Sequence, residues 1–169
     1  VAGVEHTITR GNNVLAQADE NGNNGSGYRP DAGSSLIFDY PIDTGMQPAA
    51  NRDASLTNLF FWNNIMHDLA YNYGLTESTG NFQENNYGRG GADDDYVFAD
   101  GLDGSGRNNA TMGTPSDGGN PRMTMFLWDG QSTLEVNSPS TIGDAFNMRP
   151  GGFGANDYTL TGDVVLVDD

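Results

Sequence analysis

Only one stretch of this chain carries a helical repeat of useful length. From Asp53 to Leu75, the residues Leu56, Leu59, Phe60, Asn63, His67, Ala70 and Tyr71 recur at three- and four-residue spacing. That spacing places them on one side of a helix. Asp53 or Ser55 can cap its N-terminus, where a carboxylate also faces the positive end of the helix dipole. Gly74 stands where a left-handed C′ residue would stop it. Elsewhere the chain is broken at short intervals by glycine and asparagine, 24 and 19 of its 169 residues. These residues accept left-handed backbone, so the chain between them folds as short strands and long loops. Eight Phe, seven Tyr and two Trp, grouped in patterned segments, argue against disorder. The expected fold is α+β, β-rich with long loops and one main helix over residues 53–74.

Strand signals are short. Val14-Leu15-Ala16 follows the turn residues Gly11-Asn12-Asn13. Asp19 to Ser26 is polar and reads as a solvated surface loop or, alternatively, a binding loop. Ser35 to Tyr40, closed by Pro41, has the composition of a strand. Tyr96-Val97-Phe98 is the apolar patch in a Gly/Asn/Asp-rich segment, and Arg122 to Trp128 alternates and then runs apolar, as a strand does. Composition shifts near Gly130, which divides the chain into 1–130 and a loop-rich 131–169. The run Val164 to Val167 reads as a strand of a new unit.

Charge excludes several partners. All seven basic side chains are Arg, against 23 Asp and Glu, and the net charge is −16. Nucleic acid needs a basic face, and so does an anionic membrane surface. No apolar run is long enough to span a bilayer. An acidic, lysine-free surface suits an extracellular protein in salty water, where screening relieves self-repulsion. Val1 begins without a charged-then-apolar leader, so the expectation is that any signal or pro-segment has been removed.

Metal and nucleophile chemistry is constrained by the donors. The chain has no cysteine and two histidines, His6 and His67. The position four residues after His67 is Tyr71, so no paired-His zinc motif exists. His67 then reads as a half-buried, hydrogen-bonded helix residue. No Gly-x-Ser-x-Gly elbow opens a helix, and a phosphate loop is excluded by the missing Lys. Carboxylates remain: Asp93, Asp94, Asp95, Asp100 and Asp103, with glycines between them. Oxygen-rich loops of this kind suit Ca²⁺, although the spacing is not that of an EF-hand and a solvated acidic surface is the alternative.

Several spaced blocks carry a family resemblance. They are Asp53-Ala-Ser-Leu-Thr-Asn-Leu-Phe60, then Asn63, His67-Asp68, Tyr71 and Gly74, then Gly80-Asn-Phe-Gln-Glu-Asn-Asn86 and Gly90-Gly91. Asp95-Tyr-Val97, Asp103-Gly-Ser-Gly-Arg-Asn-Asn-Ala110, Thr114-Pro-Ser-Asp-Gly118 and Pro121-Arg-Met-Thr-Met-Phe-Leu-Trp128 follow in order. With Thr9-Arg-Gly-Asn-Asn13 and Tyr28-Arg-Pro30 upstream, the chain resembles the fungalysin family of secreted zinc metalloendopeptidases. The resemblance implies the N-terminal lobe of a thermolysin-like fold. It implies zinc held by a His-Glu-x-x-His helix with a further Glu, none of which this chain contains. Thr161 to Asp169 is similar to the start of a protease-associated domain that some members insert. The resemblance further implies that Asn109 and Ala110 meet a peptide substrate along an edge strand, though Asn108-Asn109 also reads as a plain turn. The remainder of the protease chain would then be the partner, and this segment would be inactive alone. The other reading is a non-catalytic extracellular, calcium-stabilised structural or adhesion module.

Overall fold

The computed structural model describes residues 5–129, 132–135 and 145–148. The chain divides into two compact units, Val1–Trp128 and Asp129–Asp169.

The first unit holds β1 (Val14–Ala18), α1 (Arg52–Asn72), β2 (Val97–Arg107), β3 (Ala110–Gly113) and β4 (Arg122–Leu127). Short 3-10 turns cover Gly33–Ser35, Pro48–Asn51 and Glu77–Thr79. The four strands form one sheet in the order β1-β2-β4-β3. β1 pairs parallel to β2, and β2 parallel to β4. β3 pairs antiparallel to β4, with Ala110 opposite Met125 and Gly113 opposite Arg122. The fold is therefore α+β with one main helix, as the periodicity requires.

Helix α1 lies on the sheet through the side the repeat marks. Leu56 is fully buried against Ala18 and Leu102, and Leu59 and Phe60 pack on Val14, Ala16 and Ala99. Ala and Gly on the sheet side allow this close approach: a Cβ added at Gly101 would stand 2.9 Å from a Leu56 methyl. Asn51 occupies the N-cap without a side-chain hydrogen bond, so neither Asp53 nor Ser55 caps the helix. At the other end Gly74 takes φ 102°. The Gly74 N–H donates to Tyr71 O and the Leu75 N–H to Ala70 O, each at 3.0 Å, closing a Schellman motif.

Further expectations change. Ser35–Tyr40 is not a strand. Leu36 takes φ 53°, and Ser35 Oγ donates to Ala32 O at 2.8 Å, so local bonds replace a ladder. Asp19 is buried at 4% exposure, although the residues after it are mostly exposed. In the second unit, β5 (Ser132–Glu135) and β6 (Ala145–Met148) pair antiparallel, where the composition reads only as loop. The expected strand at Val164–Val167 lies outside the described residues.

The apolar core is small, and Leu56 is its largest fully buried apolar side chain. Leu56→Ala should therefore cost about 2–5 kcal/mol, read as a fall in the urea midpoint at unchanged slope. A loss below ~1 kcal/mol would show that α1 is not seated by this side chain.

Candidate functional site

The two edges of the sheet differ. β1 is buried along its whole length. Its outer backbone is also occupied: Ala16 N–H donates to Thr9 O, Ala18 N–H to Tyr28 O, and Gly11 N–H to Val14 O, all at 2.9 Å. β3 lies at the other end of the sheet and is exposed at every residue. No described strand lies beyond it. An edge of this kind presents backbone N–H and C=O groups that an extended peptide can pair with.

Asn109 and Ala110 stand at the start of this edge. Asn108 takes φ 56° and turns the chain out of β2. The Phe126 N–H then donates to Asn109 O at 3.3 Å, which attaches the turn to β4. The Asn109 side-chain oxygen accepts from the Ala110 N–H at 2.8 Å. Both residues are exposed. Met112, also on β3, is 45% exposed.

The five acidic residues singled out in the sequence do not form one site. Asp93 accepts the Asn86 N–H at 2.5 Å, while the Asn86 amide donates to Gly90 O and Ala92 O. Asp94 is exposed at φ 68°, and its N–H donates to Glu84 O. Asp95 is fully buried and accepts from the Gln83 and Gly118 N–H groups at 2.8 and 3.1 Å. Asp100 and Asp103 come together with Asp19, their carboxylate oxygens within 4.8 Å of one another. In the sequence Asp19 stood only at the start of a polar stretch read as a solvated or a binding loop; it reaches the pair because β1 runs beside β2.

Each member of this trio already has protein donors. Asp100 accepts from Gln17 Nε2 at 2.9 Å and from Arg122. Asp19 accepts from the Asn24 N–H at 2.7 Å and the Asn23 N–H at 3.2 Å. Asp103 accepts from the N–H and hydroxyl of Ser105. Three hard oxygen donors are a calcium-like set, not a zinc-like one. Among the described residues this is the one such grouping, and it contains no histidine. His67 instead stands 3.1 Å from Asp68 through Nδ1. The described residues therefore do not fit a catalytic zinc.

Behind α1, Glu77 is buried and holds the helix end to the following loop. It accepts from Tyr71 Oη and Arg89 at 3.0 Å each. Its own backbone N–H, Arg89 and Tyr71 hold its carboxyl below the usual Glu range, against the opposing effect of burial.

These features define an acidic α+β lobe whose sheet is covered on one edge and open on the other. The model of the fungalysin metallopeptidase (M36) family matches residues 2–153, and the chain belongs to that family. It is 43% identical over 127 residues to extracellular metalloproteinase 2 of Trichophyton tonsurans, covering 74% of this chain and 20% of that protein. It is 47% identical over 126 residues to extracellular metalloproteinase 5 of Arthroderma otae, covering 73% of this chain and 20% of that protein. The chain thus spans about a fifth of the length of the curated relatives it matches.

Two outcomes follow. Asp100→Asn should destabilise by about 3 kcal/mol, the lower end for breaking a buried ion pair, because Arg122 can reach water. Guanidinium unfolding checks this, and an unchanged midpoint would refute it. Glu77 is also a pH-dependent contributor. A depressed carboxyl stabilises above its unfolded pKa of about 4.3, and the gain is lost as pH falls through the folded value. Glu77→Gln should lower the melting temperature at pH 7 and flatten its decline below pH 4. Parallel acid profiles for both proteins would contradict it.

Proposed function

We propose that this chain is the N-terminal, substrate-edge part of the proteolytic domain of an extracellular zinc metalloendopeptidase. In this reading β3 accepts an extended peptide as an added antiparallel strand. Asn109 and Ala110 supply polar contacts at its start. To do so, the Ala110 N–H exchanges its bond to the Asn109 side chain for one to the peptide, which frees the Asn109 amide to bond alongside. The observation that carries the proposal is the family membership combined with a sheet whose single open edge, among the described strands, begins at those two residues.

Zinc, when bound in such an enzyme, polarises the scissile carbonyl and activates water. Its ligands and the general base belong to polypeptide beyond these 169 residues. This chain's part is to hold the peptide extended and in register. Residues 131–169 are then linker and the beginning of an inserted protease-associated-like domain. The relatives' printed names support an extracellular location, and among the described residues no helix is long and apolar enough to cross a membrane. A saline setting fits the charge of −16.

A second reading rests on Asp19, Asp100 and Asp103. Their convergence supports a calcium-stabilised extracellular module without catalysis of its own. Ca²⁺ would be held by these three, with Arg122 opposing it through Asp100. Melting in Ca²⁺ and in chelator tests the calcium part: a calcium-dependent midpoint supports the carboxylate site, and superimposable curves remove it while leaving a structural role in place.

The protease reading is tested in two steps. The 169-residue chain, incubated with Zn²⁺ and a peptide substrate, should show no turnover and no stoichiometric zinc binding by calorimetry. Clear hydrolysis would overturn the missing-ligand argument. In the full-length protease, Asn109→Ala should lower kcat/KM about tenfold, roughly 1.4 kcal/mol of transition-state binding. Unchanged kinetics would remove β3 from the substrate path.

A further inference from the structure

The nitrogen that follows an asparagine can attack the asparagine's own side-chain amide, and a following glycine has no Cβ to hinder the attack. The chain has two such steps, Asn21-Gly22 and Asn24-Gly25, close together in the loop after β1. The fold holds them differently. At the first, Asn21 Oδ1 accepts from the Asn23 N–H at 3.2 Å, and the Gly22 N–H donates to Asp19 O at 3.0 Å. Gly22 also lies tight against β2: an added Cβ would stand 2.7 Å from the Ser105 nitrogen. Both reacting groups are therefore fixed to neighbours.

At the second step the electrophile is loose. Asn24 is exposed at φ 59°, and its side-chain amide has no partner among the described residues. The Gly25 N–H donates to Asn23 Oδ1 at 2.7 Å, and Asn23 is itself exposed, so that bond opens to water without disturbing the core. Arg122 bears on the same peptide group: its Nη2 donates to Asn24 O at 3.4 Å. A cation there favours loss of the Gly25 amide proton and makes the Asn24 carbonyl carbon more open to attack by water.

We propose that Asn24 is a site of spontaneous deamidation, passing to isoaspartate and loosening the loop that holds the Asp100 network. The Gly25 nitrogen gives its proton to hydroxide and bonds to Asn24 Cγ. The Cγ–Nδ2 bond breaks, and ammonia leaves with a proton from water, which restores the hydroxide. The five-membered imide then takes up water at the Asn24 carbonyl carbon, and the bond from that carbon to the Gly25 nitrogen breaks. The main chain now runs through Cβ and Cγ, and the former carbonyl is a free carboxylate beside Arg122. The sum is amide plus water giving carboxylate plus ammonium.

The added backbone carbon falls between two anchors. The Asn24 N–H donates to Asp19 Oδ2 at 2.7 Å, and Gly25 O accepts from Gln17 Nε2 at 2.9 Å. That same Gln17 nitrogen donates to Asp100 at 2.9 Å, and Arg122 pairs with Asp100. The new carboxylate competes with Asp100 for Arg122, and the longer chain no longer fits both anchors.

Ageing in mildly alkaline buffer tests this, with peptide mapping by mass spectrometry and enzymatic methylation of isoaspartyl groups. A cooperative melt of the fresh 169-residue chain marks the folded sample. In it Asn24 should convert about tenfold faster than Asn21, as when Asn21 must first open locally at about 1.4 kcal/mol. In urea the two should convert at similar rates, and with a lower ratio of isoaspartate to aspartate at position 24. Gly25→Ala should slow Asn24 and leave Asn21 as it was. The isoaspartyl fraction, separated by chromatography, should melt below the fresh chain. Asn24→Asp, which adds the charge without the backbone carbon, should melt close to it. Equal rates at the two sites in the folded chain overturn the assignment, and so does an Asn24 that stays intact while the urea sample converts. An isoaspartyl fraction that melts with the fresh chain overturns the loosening of the network.

Discussion

Asp100 joins three strands through one carboxylate. It sits on β2 with no exposure, takes the Gln17 amide from β1 on one oxygen, and takes Arg122 from β4 on the other. Gln17 is itself held: its oxygen accepts from Arg29 and the Gly27 N–H, and its nitrogen also donates to Gly25 O. The parallel strand pairs, and the loop from Gly25 to Arg29, are thus tied at one buried point. A buried carboxylate left without these donors would carry the full cost of its lost hydration, so the network holds together or fails together.

That arrangement explains how so acidic a chain has a core at all. The apolar centre is thin, built from Val14, Ala16, Ala18, Leu56 and Ala99. Around it Asp19 and Asp95 are buried as acceptors for backbone N–H groups of loops, and Asp103 for one in the irregular second half of β2. Asn86 does the same work with its amide, donating to Gly90 O and Ala92 O. Carboxylates and amides here replace the ladder bonds that long loops lack. Part of the negative charge is therefore structural, paired inside, and the rest is solvated.

The same economy sets what the surface can do. β1 has its edge closed by the segments before and after it, and beyond β3 no strand lies among the described residues. α1 is covered on its sheet side and open on the other, where its large apolar residues lie. An open edge and an open helix face are the two surfaces that the described part of this fungalysin-family chain leaves uncovered.

Local patterns were readable from the residues. The spacing of Leu56, Leu59, Phe60, Asn63 and His67 sets the inward side of α1, because helix periodicity is a property of adjacent turns. Gly74 ends it and Arg122 to Leu127 forms a strand for equally local reasons. Ser35–Tyr40 misled because strand composition counts only where a partner strand is available, and Leu36 instead turns the chain. The sequence by itself determined the α+β class and the one long helix of the described residues. Only the tertiary structure decided that Asp19 joins Asp100 and Asp103, and that β3 rather than β1 is left open. It also set the outer face of α1 toward solvent. Each of these depends on which distant segments lie side by side, and long-range pairing leaves no periodic mark on the chain.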